Sequence, residues 1–429
     1  MRFFKKPIFV FISPNAQIDD VWLAFKLLLQ PWKWIDGNAS AKLITELKKY
    51  LGVKHAFVFS SGRASLYGVL KALDVKENDE VLVQAFTCTA VVNPILWLGA
   101  KPIYVDIDKN GYNMSPEDLL RKINPGKSKV IIIQHTFGLA ANLDEILEIA
   151  KNNDLLTIED ATHALGAEYK NKKIGTFGDA AIFSFGRFKI ISAVFGGAVT
   201  TDNSEMADKL EEFNEKLNYP PRFWIFQQIF HPILLAFAKP FYNIFSLGKL
   251  KVIIAKKLNL LSPVIYQEEK LGHQPPFLIS RLPNVLALLG LNQFKKLDVF
   301  NNHRIGLADI YKKEFNNFAE VKLPVSLPKT KDVYLNFPIQ LEYGKSILEL
   351  IVSGGKKQGI YLENWPARES IIGPDGVDLE KMRYQKGSCP NAENIVLRSV
   401  ILPTSPNTRE KDVLRVCNFI KKFLKDGDN

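Results

Sequence analysis

Cysteine is scarce in this 429-residue chain: Cys88, Cys389 and Cys417 are far apart, odd in number and include no C-x-x-C pair. A disulfide-stapled scaffold is therefore excluded, and a reducing, cytoplasmic compartment is expected. The six histidines (His55, His135, His163, His231, His273 and His303) show no H-E-x-x-H or related spacing, so no metal site is expected. No G-x-x-x-x-G-K-[ST] is present, which removes a P-loop reading. No zinc-finger, RNP or helix-turn-helix signature is present either, so nucleic acid is not expected as a partner. Long apolar runs are also missing. The stretch FWIFQQIFHPILLAFA (223–238) is interrupted by Gln227, Gln228, His231 and Pro232, and falls short of the roughly 20 apolar residues that span a bilayer. The start, MRFFKKPIFVFISPN, sets Lys5 and Lys6 before an apolar run of about seven residues, the lower limit of a signal-peptide core, with no A-x-A-like site after it. It is expected to belong to the folded chain.

What is present is the composition of a globular protein, 47% apolar and 24% charged, long enough at about 150 residues per domain for two to three domains. From Lys54 to about Asp202, short β-branched runs alternate with helical stretches. HAFVFS (55–60), EVLVQAF (80–86), PIYVDID (102–108), KVIIIQH (129–135) and LLTIED (155–160) read as strands. These runs are apolar throughout, as strands buried on both faces are. Strand–helix repetition predicts an α/β fold with a mostly parallel, doubly wound sheet. The expected organisation is an N-terminal arm (1–50), a large domain (51–204), an aromatic and basic insertion (205–275), and a helical connection with a small C-terminal α+β domain (276–429).

The stretch IEDATHALGA (158–167), followed by GTFGDAAIFSFGRFKIISAVFGGAVTT (175–201), carries most of the chemistry. Asp160 closes a buried strand at its carboxyl end, the edge where open α/β sheets bind ligands. Lys189 lies between two apolar runs, where desolvation lowers an amine's pKa and makes it an imine-forming nucleophile. A carboxylate facing a pyridinium nitrogen keeps that nitrogen protonated, so the ring can take up electrons. Each residue alone has a plainer reading, a strand-end cap for Asp160 and a solvated lysine for Lys189. A third element shifts the balance. SSGRASL (60–66) joins a strand to a helix through Gly62, a turn that offers backbone N–H groups to a phosphate. Ser61 and Arg63 add a hydroxyl and a guanidinium. His135 of QHTFG reads as a structural strand-end residue.

The order of these residues resembles a known family. S-G-x-A-x-L, F-T-x-x-x-x-x-N-x-I-x-x-x-G-A-K-P-x-x-V-D-I-D, H-x-F-G, E-D-A-x-H-A-L-G-A, G-D-A-A-I-F-S-F, the lysine and G-G-A-V occur in sequence. The chain is similar to DegT/DnrJ-type pyridoxal-phosphate-dependent sugar aminotransferases, of the aspartate-aminotransferase fold (fold type I), from about residue 38 to 417. The resemblance implies pyridoxal 5′-phosphate as cofactor, with Lys189 bonding its aldehyde and shuttling protons. It implies Asp160 on the pyridine nitrogen, His163 by the ring and its phenolic oxygen, and Ser61, Gly62, Arg63 and Ser184 around the phosphate. Lysine at 189, where a dehydratase branch has histidine, implies an aminotransferase. The pattern also departs from the family. Cys88 takes a cofactor-side position where an aromatic ring often stacks, Arg63 replaces a threonine, and Phe195 replaces an acid. Gly186-Arg187-Phe188-Lys189 stands for H-x-x-K. An asparagine that the partner subunit normally supplies falls at Ile279, a lost phosphate contact that Arg63 is expected to replace. The implied reaction moves an amino group from a donor, glutamate in most of the family, to a nucleotide-linked keto-sugar for a surface polysaccharide or glycolipid, in a homodimer. The alternatives are pyridoxal-phosphate chemistry on a non-sugar carbonyl and a non-catalytic regulatory protein that keeps the fold.

Charge is the last feature. Lysine and arginine total 56 against 45 acids, a net +11. Residues 216–267 hold seven basic residues and no acid, so this one stretch accounts for seven of those charges. Aromatic and aliphatic residues interleaved with lysine suit a membrane surface, and 216–262 is expected either to meet an anionic inner-membrane face or to pack as a helical hairpin with solvated lysines. VWLAFKLLLQPWKW (21–34) has the same character.

Overall fold

A computed structural model describes residues 6–342 and 345–426; residues 1–5, with Lys5 of the signal-like start, lie outside the described residues, as do 343–344 and 427–429. The alternating runs form the strands that their composition predicts. These are β1 (His55–Phe59), β2 (Glu80–Gln84), β3 (Lys101–Val105), β4 (Ser128–Gln134), β5 (Leu156–Asp160), β6 (Ala180–Ser184) and β7 (Gly197–Thr201). They make one seven-stranded sheet in the order β1-β7-β6-β5-β4-β2-β3. Every pairing among β6, β5, β4, β2 and β3 is parallel, and β7 runs antiparallel to both its neighbours. Two-sided burial explains the unbroken apolar runs: Val81 and Val83 of β2 enter one apolar layer, and Leu82 between them enters the other.

Helices cover both faces. In chain order they include α1 (Ile18–Leu28), α2 (Ala39–Leu51), α3 (Gly62–Ala72), α4 (Thr89–Trp97), α5 (Leu143–Asn152) and α6 (Ser204–Glu215). After them come α7 (Arg222–Ala238), α8 (Leu247–Lys257), α9 (Asn284–Phe294), α10 (Leu297–Phe315), α11 (Lys345–Lys357) and α12 (Glu410–Asp426). In the C-terminal part α12 packs on α10, beside a three-stranded antiparallel sheet of β8 (Val321–Lys322), β9 (Phe337–Leu341) and β10 (Ser399–Leu402). This part reaches back to the large sheet's edge, where Ile372–Gly373 pairs in parallel with Thr87–Cys88.

The stretch read as an insertion divides in two. Helix α6 packs on α3 and β1 and so joins the large domain, whereas α7 lies against α1, α8 and α9. The apolar bulk of α7 is interior: Trp224, Ile225, Ile229 and Ile233 are buried. These residues turn inward, so α7 is the centre of a three-helix flank with one side in the core and Phe223 and Phe237 exposed on the other. Its interrupting polar residues are interior too. Gln227 donates to Asn259 O at 2.6 Å and Gln228 donates to Ser262 Oγ at 3.0 Å. Among the described residues, no helix is long and apolar enough to cross a membrane, and no group of three or more His, Cys, Asp or Glu side chains is placed to hold a metal ion.

Candidate active site

The carboxyl ends of β1, β5 and β6 open on one edge of the sheet, and a cavity of about 470 Å³ lies there. Its walls bring together the residues expected to act on or hold the cofactor: Ser61, Gly62 and Arg63 after β1, Asp160 and His163 after β5, Ser184 and Lys189 after β6, and Cys88 from the segment before α4; Ile279 is not among them.

The anion-binding corner follows from local geometry. Ser61 caps α3, accepting from the Ala64 N–H at 3.1 Å, and the first-turn N–H groups of the helix aim at the cavity with the positive end of its dipole. Ser184 faces this turn: a Cβ placed on Gly62 would stand 3.3 Å from the Ser184 hydroxyl. A side chain there would crowd Ser184 and narrow that gap. Gly197 serves the same corner from the neighbouring strand, since a Cβ there would meet the Ser61 carbonyl at 2.6 Å.

Lys189 sits in a loop fixed from two distant parts of the chain. The Asn15 side-chain amide donates to Lys189 O at 2.5 Å and to Ile190 O at 3.1 Å. The buried Arg304 guanidinium donates to Ile190 O at 2.9 Å and to Asn15 Oδ1 at 2.8 Å. The ammonium lies 3.5 Å from Thr162 Oγ1. Burial pushes the Lys189 pKa down, further helped by the nearby Arg63 charge, and Asp160 and Cys88 only partly oppose it. Asp160 is buried and accepts from the Thr162 N–H at 3.1 Å.

His163 is held neutral: burial, and then the Lys189 charge, push its pKa well below the ordinary value. Its Nδ1 accepts from the Phe137 N–H at 3.2 Å, which leaves the ring proton on Nε2. His135, by contrast, is a structural residue at the strand end. It bonds buried Glu159 at 3.3 Å, and Glu159 also takes the Gly175, Phe177 and Gly178 N–H groups.

Arg63 meets partners that the sequence did not suggest. Its guanidinium forms a buried ion pair with Glu269 and donates to Val264 O at 3.3 Å. Much of its charge is thus satisfied inside the protein, and what it presents at the helix start is chiefly its backbone N–H. Arg187 is buried likewise, donating to Ser262 O, Gln228 Oε1 and Ser262 Oγ at 2.8–3.0 Å. The two guanidiniums flank the ring of Phe195 at 5.7 and 5.3 Å.

Four contributors escaped sequence reasoning: Asn15, Thr162, Arg304 and Trp365. The Trp365 ring comes from the C-terminal part and stands edge-on to His163 at 5.3 Å, beside Phe86 and Phe137. Phe86, Phe137 and Val194 around the cavity have φ of +62°, +58° and +69°, conformations that cost of order 1–3 kcal/mol and gather at functional sites.

The profile of the DegT/DnrJ/EryC1/StrS aminotransferase family matches residues 19–218 and 255–421 and passes over 219–254. A putative pyridoxal phosphate-dependent aminotransferase of Bacillus subtilis (strain 168) is 35% identical over 381 residues, 87% of this chain and 85% of that protein. A GDP-perosamine synthase of Escherichia coli O157:H7 is 28% identical over 414 residues, 96% of this chain and 94% of that one. The PLP-form structure of a putative sugar aminotransferase from Streptococcus pneumoniae has a TM-score of 0.76, covering 98% of this chain and 99% of that chain, with 18% identity. At that identity the likeness is one of fold.

Proposed function

The chain belongs to the DegT/DnrJ/EryC1/StrS aminotransferase family, and from that premise we propose that it uses pyridoxal phosphate to move an amino group from glutamate to a nucleotide-linked keto-sugar. The convergence of Lys189, Asp160, His163, Ser61, Gly62 and Ser184 on one cavity carries this reading. The residues fit the cofactor. A side-chain-free gap faces a serine hydroxyl at a helix N-terminus, which suits a phosphate, and the buried Asp160 carboxylate lines the same cavity, which suits a pyridine nitrogen.

When bound, the cofactor supplies an aldehyde that carries the amino group and a ring that takes up an electron pair. Ser61, the first turn of α3 and Ser184 would hold its phosphate, and Asp160 would keep the ring nitrogen protonated. Lys189, with its pKa lowered by burial, would act as the nucleophile toward the aldehyde and then take a proton from the reacting carbon and return it on the same face of the site. His163, neutral and fixed through Nδ1, offers Nε2–H as a hydrogen-bond donor toward the ring oxygen. Trp365 and Phe137 line this side of the cavity with apolar rings.

The enzyme is further proposed to act as a homodimer on the cytoplasmic side of a membrane, serving polysaccharide or glycolipid synthesis. The test is spectroscopic. Borohydride reduction of the cofactor-loaded protein should attach the cofactor at Lys189, and glutamate should bleach the visible band, which a nucleotide-linked keto-sugar then restores. A band that no amino acid bleaches would sink the aminotransferase reading, and one that no nucleotide-linked sugar restores would sink the substrate.

A further inference from the structure

Outside the cavity, the largest unexplained feature is the outward side of the three-helix flank. On α1 the exposed residues Ile18, Trp22, Phe25 and Leu29 recur every three or four positions, and Trp22 is 64% exposed. They form a stripe opposite the buried Ala24 and Leu27. The outer edge of α7 runs from Phe223 through Phe226 and Phe230, stacked ring on ring at 6.0 and 5.5 Å, to exposed Phe237. On α8, Leu247, Leu250, Ile254 and Leu258 are exposed at helical spacing. Single exposed apolar residues are ordinary, but three packed helices each presenting such a stripe mark an interaction surface.

On α7 and α8 the exposed charges have one sign, whereas beside α1 exposed Asp36 stands three residues after Lys33. Lys26, Lys33, Arg222, Lys251, Lys256 and Lys257 are exposed around the stripes. The acids of α1, Asp19 and Asp20, turn to Lys296, and residues 216–267 contain none. Two-fold pairing with a second copy would set each lysine cluster against itself, whereas an anionic lipid surface is its complement. The family profile also passes over 219–254, most of α7 and α8, so an interface common to the family would not depend on this segment.

We propose that the outward faces of α1, α7 and α8 form a docking surface for an anionic lipid bilayer, with aromatic and aliphatic stripes entering the headgroup level and lysines meeting lipid phosphates. This gives residues to the inner-membrane location proposed above. It holds the helices parallel to the membrane and leaves the enzyme a peripheral protein.

The test uses the full-length, cofactor-loaded enzyme and vesicles of phosphatidylcholine with or without phosphatidylglycerol. Deleting α7 is avoided, because its buried face is core. Binding to phosphatidylglycerol vesicles should exceed binding to neutral ones by about tenfold or more. It should be lost in the triple variant Lys251→Glu, Lys256→Glu, Lys257→Glu, and also in Trp22→Asp with Phe25→Asp, while glutamate still bleaches both variants. Equal binding to both vesicle types, or variants that bind as well as the parent, would overturn the proposal. So would variants that split a larger assembly in sedimentation velocity, which would assign the face to a second copy. A chain that binds vesicles but is never bleached would instead count against the aminotransferase reading alone.

Discussion

Leu82, Ile131 and Ile158 lie in strands with no exposed face, whereas α1, α7 and α8 divide their apolar residues between core and solvent. The same composition serves different ends. Around the sheet, apolar packing dries the site, and drying changes its chemistry: Lys189 and His163 both lose proton affinity to burial. On the flank, apolar residues left outside change no titration; they make a surface. Apolar content alone therefore says little about role, and which side each residue faces says most of it.

The comparison can be broken at several points. Lys189→Ala should lower kcat by about 10³-fold or more, as loss of a nucleophile and proton carrier does, while reversing the three α8 lysines leaves kcat unchanged in solution. Equal losses would erase the distinction between the regions. Asp160→Asn should cost about 10²-fold in kcat and shift the visible band, both readable in one stopped-flow series. Arg187→Met joins the regions, since it strands Gln228 and Ser262 of the flank next to the site. Thermal melts should show about 2 kcal/mol of lost stability.

A pH titration sharpens the comparison. His163 by the site and His231 of α7 are both held well below the ordinary histidine pKa, chiefly by burial. Above about pH 6.5 the folded and unfolded forms are both neutral, and below it only the unfolded form takes the proton. Stability should therefore fall as pH drops below about 6.5, by up to about 1.4 kcal/mol per unit for each histidine. Urea unfolding of cofactor-free His231→Leu at about pH 7 and about pH 5.5 should show a shallower fall than the parent. The smallest effect belongs to Ile254→Asp, which should change stability by less than about 0.5 kcal/mol because the side chain is exposed.

The sheet was legible in the sequence because two-sided burial leaves unbroken β-branched runs, and strand ends mark where chemistry sits. Asp160 and the Ser61–Gly62 turn were found on that ground, and Ser184 through the family resemblance. Asn15, Arg304 and Trp365 were not, since each reaches the cavity from more than a hundred residues away in sequence and no local pattern announces a long-range hydrogen bond or ring contact. Positions 227, 228 and 231 misled in a different way. As interruptions of an apolar run they suggest a helix partly in water, yet all three are buried, with Gln227 bonded to Asn259 and Gln228 holding Arg187. Lys239 shows the same inversion: it is half-buried, donates to Ser13 O at 2.7 Å, and its pKa is pushed down to about 8, chiefly by desolvation. Periodicity reports the side a helix turns inward only when its two sides differ, and α7 is apolar nearly all round.

The hold of Asn15 on the carbonyls of Lys189 and Ile190 bears on how this protein is handled in the laboratory. The family likeness begins at residue 19, and a chain trimmed to that boundary for expression would look whole by alignment. It would lack the amide that grips the lysine loop, and would leave buried Arg304 with one acceptor fewer. Such a shortened chain would fold around a loosened nucleophile and pass for a weak enzyme.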